Sequence, residues 1–175
     1  MTQLLPGLLL PLEGHTLLLP SSAIAEIIPY EKPNPIPDIP KWFMGVLTWR
    51  AIHIPLIILE KVESTVDWGE DKTPPVLTDK THIAIINRDS KIQGEGQNSA
   101  STKYPFFSIL LKNVPKMCRL TESTLKLVTK TTDDPRFLME VKIQDDYVYI
   151  PNLPNLWKLI DALPSRLQWF RQVII

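Results

Sequence analysis

Glycine, cysteine and net charge are what this sequence has least of, and each shortage excludes something. Six glycines are scattered over 175 residues. They form neither GxGxxG nor GxxxxGK[ST], so no glycine loop cradles a phosphate. A single cysteine, Cys118, excludes an intramolecular disulfide and a cysteine-based zinc site. It reads as a small buried apolar side chain, although Arg119 beside it could lower its pKa. Lysine plus arginine number 19, as do aspartate plus glutamate. That balance removes the electrostatic argument for nucleic acid, where a basic face supplies most of the affinity. Five tryptophans could stack on single-stranded bases, but no basic run accompanies them. No apolar run reaches about 18 residues, so no membrane span or direct membrane insertion is expected. The apolar start, MTQLLPGLLLPLEGHTLLLP, has no basic n-region and is broken by Pro6, Gly7, Pro11 and Glu13. It does not read as a signal peptide. A soluble, cytoplasmic protein is expected.

Catalytic patterns are equally scarce. HExxH, paired histidines and GxSxG do not occur. His15, His53 and His82 lie far apart. His53 and His82 are flanked by β-branched residues and read as strand positions with one polar tip, while His15 reads as an exposed tip at a turn. Asp133-Asp134 and Asp145-Asp146 fit turn chemistry better than acid–base work. No catalytic residue, cofactor site or metal site is assigned. The alternative is a small β-barrel enzyme or metal protein whose site is assembled from dispersed residues.

Proline is what the sequence has in excess, with 17 residues. Proline is kept out of helix interiors and central strands, so short elements joined by stiff turns are expected. Residues 8–12 and 16–19 read as a hairpin around Glu13-Gly14-His15. Pro20-Ser21-Ser22 signals a helical turn over 22–26, capped by a hydroxyl. Residues 29–40, PYEKPNPIPDIP, hold five prolines and read as an extended connector. Further strands are expected at 46–49, 52–59, 81–87, 104–111 and 113–120, with a hairpin of 137–143 and 146–150. Loops are expected at 63–80 and 88–103, the latter as a long hairpin tip. Residues 153–163 show helical spacing at Leu156, Leu159, Ile160 and Leu163, and Pro164 ends the run. In the tail, Leu167, Phe170 and Ile174 could form one apolar face. The tally is all-β, organised as two small barrels, with one C-terminal helix.

One stretch stands out. Residues 41–61, KWFMGVLTWRAIHIPLIILEK, place Arg50 inside a run of large apolar side chains. Gly45 marks a turn or a close backbone approach. Arg50-Ala51 marks a turn, and 52–59 is the strongest strand. Pro55 within it argues for an edge or a bulge.

These residues resemble the CheW-like domain of bacterial chemosensory systems. LLLPSSAIAEIIPY fits a hairpin followed by a V-x-E-I turn. WFMGVLTWRAIHIPLIIL fits G-V-x-N-x-R-G-x-x-x-P-v-x-D-L. THIAIIN, FFSILLKNVPKMCRLTESTLKLV and FLMEVKIQDDYVYIPNLPNLWKLI continue the likeness over residues 8–163. Thr48, Ala51 and Ile58 replace the Asn, Gly and Asp of the central pattern, and Asn113 replaces an acidic residue. The 88–103 loop is longer than in the family pattern. These departures point to a divergent member, such as the accessory proteins of type IV pilus chemosensory systems.

The resemblance implies two intertwined five-stranded SH3-like β-barrel subdomains in one domain spanning 1–175. One subdomain covers about 16–80. The other covers about 81–150 plus the N-terminal strand. It implies no catalysis and no cofactor. The implied partners are the regulatory domain of a chemotaxis-type histidine kinase and the cytoplasmic tip of a chemoreceptor. Glu26 matches the V-x-E-I glutamate and Arg50 the N-x-R-G arginine, and the two are expected to pair. Val46, Ile52 and Ile54 are expected to line a groove for a receptor helix, some of them turning to the core instead, since strand residues alternate.

Overall fold

A computed structural model of the chain describes residues 4–37, 39–62, 74–88, 104–128 and 132–163, with backbone alone at 125–128. The strands are β1 (Leu5–Pro11), β2 (Thr16–Pro20), β3 (Ile24–Pro29), β4 (Phe43–Trp49), β5 (Ile52–Ile57), β6 (His82–Asn87), β7 (Phe106–Leu111), β8 (Lys116–Leu120), β9 (Leu125–Val128), β10 (Phe137–Ile143) and β11 (Asp146–Pro151). A helix, α1 (Leu153–Asp161), follows. The strands form a six-stranded sheet, β8-β1-β2-β11-β10-β9, and a five-stranded sheet, β3-β6-β7-β5-β4.

Sheet membership crosses the division expected near residue 80. β6 and β7 join β3–β5, and β2 stays with β1 in the other sheet. Two parallel contacts make this possible, β5 with β7 and β2 with β11. The chain therefore leaves the six-stranded sheet after β2 and returns at β8.

Side-chain alternation then builds three apolar clusters. Leu17 and Leu19 face a shared cluster, while Leu18 between them faces a cluster inside the six-stranded sheet with Leu120, Val141 and Val148. Likewise Ala84 and Ile86 face the shared cluster, and Ile83 and Ile85 face one inside the five-stranded sheet with Ile54 and Leu56. Both faces of each sheet are thus buried, which is why 52–59 and 81–87 read as unbroken apolar runs and not as alternating strands.

The expected hairpins are present, with Gly14 and Gln144 at positive φ in their turns. The helical turn is shorter than expected. It is a 3₁₀ turn over Ser21–Ala23, no side chain caps it, and Glu26 already belongs to β3. The connector forms one isolated bridge, Asn34 with Val46. Gly45 is not a turn but a close approach. Its φ is 136°, and a Cβ there would lie 2.3 Å from the Asn34 carbonyl oxygen.

Pro55 does not mark an edge. β5 lies between β7 and β4. Val46 spends both its N–H and its carbonyl on Asn34, so its pairing with Pro55 is of the non-hydrogen-bonded kind. The missing donor of Pro55 therefore faces β7, whose ladder begins only at Leu56. The Ser108 hydroxyl donates to the Pro55 carbonyl at 2.9 Å. A bulge does occur close by, in β4 between Phe43 and Gly45.

Helix α1 packs Leu156, Trp157 and Ile160 into the shared cluster, and Leu163, just past its end, joins them. Leu159, expected on that face, is partly buried against it. Asn152 caps the helix by accepting from the Asn155 N–H. Arg88, at the end of β6, anchors the other end with two hydrogen bonds to Asp161, at 2.7 and 3.1 Å. Its guanidinium lies 3.8 Å from the Trp157 ring centroid. The neighbouring antiparallel strands β6 and β7 agree with a hairpin joined through 88–103. Its tip at 89–103, the loop at 63–73 and the tail at 164–175, with Leu167, Phe170 and Ile174, lie outside the described residues.

Candidate functional site

β4 and β5 are joined by two residues, Arg50 and Ala51, with φ of 47° and 61°. Positive φ at both positions is the mark of a type I′ hairpin turn, whose twist suits the flanking strands. Glycine is the ordinary occupant, yet here an alanine takes the left-handed conformation. Ala51→Gly is therefore expected to stabilise the protein by about 1 kcal/mol, read by urea denaturation.

The turn carries Arg50 outward. Across it, Glu26 sits on β3 immediately after a bulge between Ile24 and Glu26, and bulges re-aim side chains. Glu26 Oε2 accepts a hydrogen bond from the Trp49 indole N–H at 2.6 Å. The same oxygen lies 3.5 Å from Arg50 Nη2. The Arg50 guanidinium in turn rests 4.7 Å from the Trp49 ring centroid. Trp49 stands edge-on to Phe106 at 5.1 Å, and both pack with Ile52 against the cluster inside the five-stranded sheet.

The expected pair of Glu26 and Arg50 is thus formed. The groove residues divide. Ile52 is partly exposed, whereas Val46 and Ile54 are buried in the shared and inner clusters and line no groove. Trp49 was not among the expected residues. Its position beside the turn, as the cross-strand partner of Ile52, was the available signal.

Exposure decides what the pair can do. The Arg50 side chain is 68% exposed and that of Glu26 38%. An ion pair so open to water contributes at most about 1 kcal/mol to stability. It is weak as a staple. What it provides is an oriented guanidinium, held on an indole face and ringed by half-buried apolar side chains. Such a surface suits bidentate contact with a partner carboxylate.

A second polar cluster lies where the two sheets meet. Arg136 is buried, makes paired hydrogen bonds to Asp134, and donates to the Glu60 carbonyl at 3.1 Å. Burial works to raise the Asp134 carboxyl, but the hydrogen bonds and charge of Arg136 outweigh it and hold Asp134 below its usual range. Burial pushes the Glu60 carboxyl up, although the Glu13 N–H donates to Glu60 Oε1 at 2.6 Å.

His15 is not an exposed tip. It packs against Phe137 and Tyr149, with ring centroids 5.4 and 5.1 Å away. His53 lies beside Thr48, and His82 Nδ1 donates to the Lys80 carbonyl. Among the described residues no group of three or more His, Cys, Asp or Glu could hold a metal ion. Burial raises the Cys118 thiol, so Arg119 does not activate it. The two residues are neighbours on a strand and point to opposite faces.

The described residues thus form two β-sheets that share a core, with an oriented ion pair at one hairpin tip. Residues 6–160 match the model of the CheW-like domain, and the chain belongs to that family. The structure is similar to that of the scaffolding protein TtCheW from Thermoanaerobacter tengcongensis, with a TM-score of 0.61 and 18% sequence identity. The match covers 86% of this chain and 90% of that one. The two sheets correspond to the two SH3-like barrel subdomains of the CheW fold. No curated protein matches the chain. No helix among the described residues is long and apolar enough to cross a membrane.

Proposed function

We propose that this chain is a non-enzymatic adaptor in a bacterial chemosensory system. It binds the regulatory domain of a chemotaxis-type histidine kinase, the cytoplasmic tip of a chemoreceptor, or both. The face built from Glu26, Trp49, Arg50 and Ile52 is the binding surface, and a pathway controlling type IV pilus twitching motility is its setting. Family membership supports the adaptor role. The observation that carries the site is Arg50 itself. It matches the arginine of the family pattern as Glu26 matches its glutamate, pairs with Glu26, and is two-thirds open to solvent. The departures at Thr48, Ala51 and Ile58 support a divergent pathway.

Arg50→Ala and Glu26→Lys test this reading. Arg50 is exposed, Glu26 is half-buried, and the ion pair between them is worth little to the fold. The circular dichroism spectrum should stay unchanged in both, with the melting temperature unchanged for Arg50→Ala and slightly lower for Glu26→Lys, which also loses the acceptor of the Trp49 indole N–H. Pull-down of the kinase regulatory domain should fall at least about tenfold, as for a contact worth 1.4 kcal/mol or more. Unchanged binding by both variants would remove the site assignment. Binding that falls only in step with the melting temperature would make the pair a structural staple.

A further inference from the structure

The turn between β1 and β2 is where the two sheets are fastened. It belongs to the six-stranded sheet. Its Glu13 N–H donates to Glu60, which follows β5 of the other sheet. Its Glu13 carboxylate pairs with Lys112, just past β7, and the Lys112 N–H donates to the Pro11 carbonyl at 2.9 Å. The turn itself closes through the Leu12 N–H and the His15 carbonyl at 2.8 Å.

The His15 ring holds this turn against Phe137 and Tyr149. Its Nδ1 is buried and has no hydrogen-bond partner. A bare ring nitrogen tolerates that position. A protonated one would place an N–H there with no acceptor, which carries the full cost of an unmade hydrogen bond. The Arg136 guanidinium lies 5.1 Å from the centroid of the same Phe137 ring, so a second cation would meet a first.

We propose that protonation of His15 releases this turn and makes the fastening between the two sheets acid-sensitive. Burial and Arg136 both disfavour the charged ring, and Asp134 opposes them only in part. The folded protein therefore binds the His15 proton less tightly than the unfolded chain does. The stability that neutral His15 contributes is complete above about pH 6.5 and is lost as the pH falls through the lower, folded value.

The other groups around the turn act elsewhere or in the opposite sense. Glu60, with its raised carboxyl, gains as the pH falls. Asp134 is held low and loses its contribution only below the carboxylate range. Tyr149 is raised, by burial and by Glu140, and stays neutral throughout. Glu13 and Lys112 pair in the open, with side chains 72% and 58% exposed.

Hydrogen exchange of the Leu12 amide reads the release directly. In the full chain its protection, corrected for intrinsic exchange, should fall by up to about tenfold per pH unit below pH 6.5. His15→Phe, which keeps a ring on Phe137 and Tyr149, should abolish that pH dependence. Glu60→Gln should keep it. Protection that stays flat from about pH 7.5 to pH 5 in the wild type overturns the proposal. So does an equal loss in His15→Phe. If that variant does not fold, the NMR titration of the His15 ring in the wild type decides: a midpoint below about 6.5 upholds the proposal, and one at or above it overturns it.

Discussion

Arg136→Ala should lower the unfolding free energy by about 3–5 kcal/mol, the cost of removing one partner from a buried charged pair. Only 6% of the Arg136 side chain is exposed. Its guanidinium holds both Asp134 oxygens and the Glu60 carbonyl, and lies over Phe137. Alanine would leave the Asp134 carboxylate without its cation and the carbonyl without its donor. The two sheets would also lose a bond between the segment before β10 and the 3₁₀ turn Leu59–Lys61. Arg136→Met fills most of the volume and should cost less, because it keeps the packing of the aliphatic stem. Urea denaturation checks both variants, with a lower midpoint and an unchanged slope expected. A loss below about 1 kcal/mol for alanine would show that the pair is a surface bridge in energetic terms.

Gly45→Ala should be nearly as damaging, by about 3 kcal/mol or more, from strain and overlap acting together. The φ of 136° disfavours any side chain, and the new Cβ would sit 2.3 Å from the Asn34 carbonyl oxygen. Asn34 cannot yield alone, because its N–H and carbonyl both bond to Val46, at 2.9 and 3.1 Å. The expected result is displacement of the proline-rich connector from β4, seen as faster exchange of the Val46 amide. Chemical denaturation gives the size of the loss. An alanine variant as stable as the wild type would mean that the connector does not pack on β4 as described.

The hairpins, the β5 run and helix α1 were legible because each rests on neighbours within a few residues. Apolar runs bounded by turn residues gave the strands, and Leu156, Ile160 and Leu163 gave the helix face. Gly45 was legible only as a turn or a close approach, and the Asn34 backbone that decides for the close approach lies outside its own strand. What failed were inferences in which the deciding partner is distant. Pro55 looked like an edge because proline has no donor, but its nitrogen falls where the ladder to β7 has not yet begun, and Ser108, 53 residues away, donates to its carbonyl. Sheet membership was misdivided because the parallel pairs β5–β7 and β2–β11 join segments that share no turn. Arg88 and Asp161 are 73 residues apart, and nothing local marks either.

At the site, Glu26 and Arg50 were legible as matches to a family pattern. Trp49, which holds both of them, was hidden because that pattern has no residue of its kind to compare. Of Val46, Ile52 and Ile54, expected to divide between a groove and the core, Val46 and Ile54 are the ones that turn inward. The unbroken apolar run of 52–59 marks a strand covered on both faces, which is where Ile54 lies.

The central claim is that the face around Trp49 and Arg50 is where partners bind. The most direct measurement is the two-dimensional NMR signal of the Trp49 indole N–H during titration with the purified histidine kinase regulatory domain. Its bond to Glu26 makes it a reporter on both members of the ion pair. The account predicts that this signal shifts or broadens together with the backbone amides of Glu26, Arg50 and Ile52, and that Arg50→Ala abolishes the change. Binding that moves signals elsewhere while these four stay fixed would contradict it.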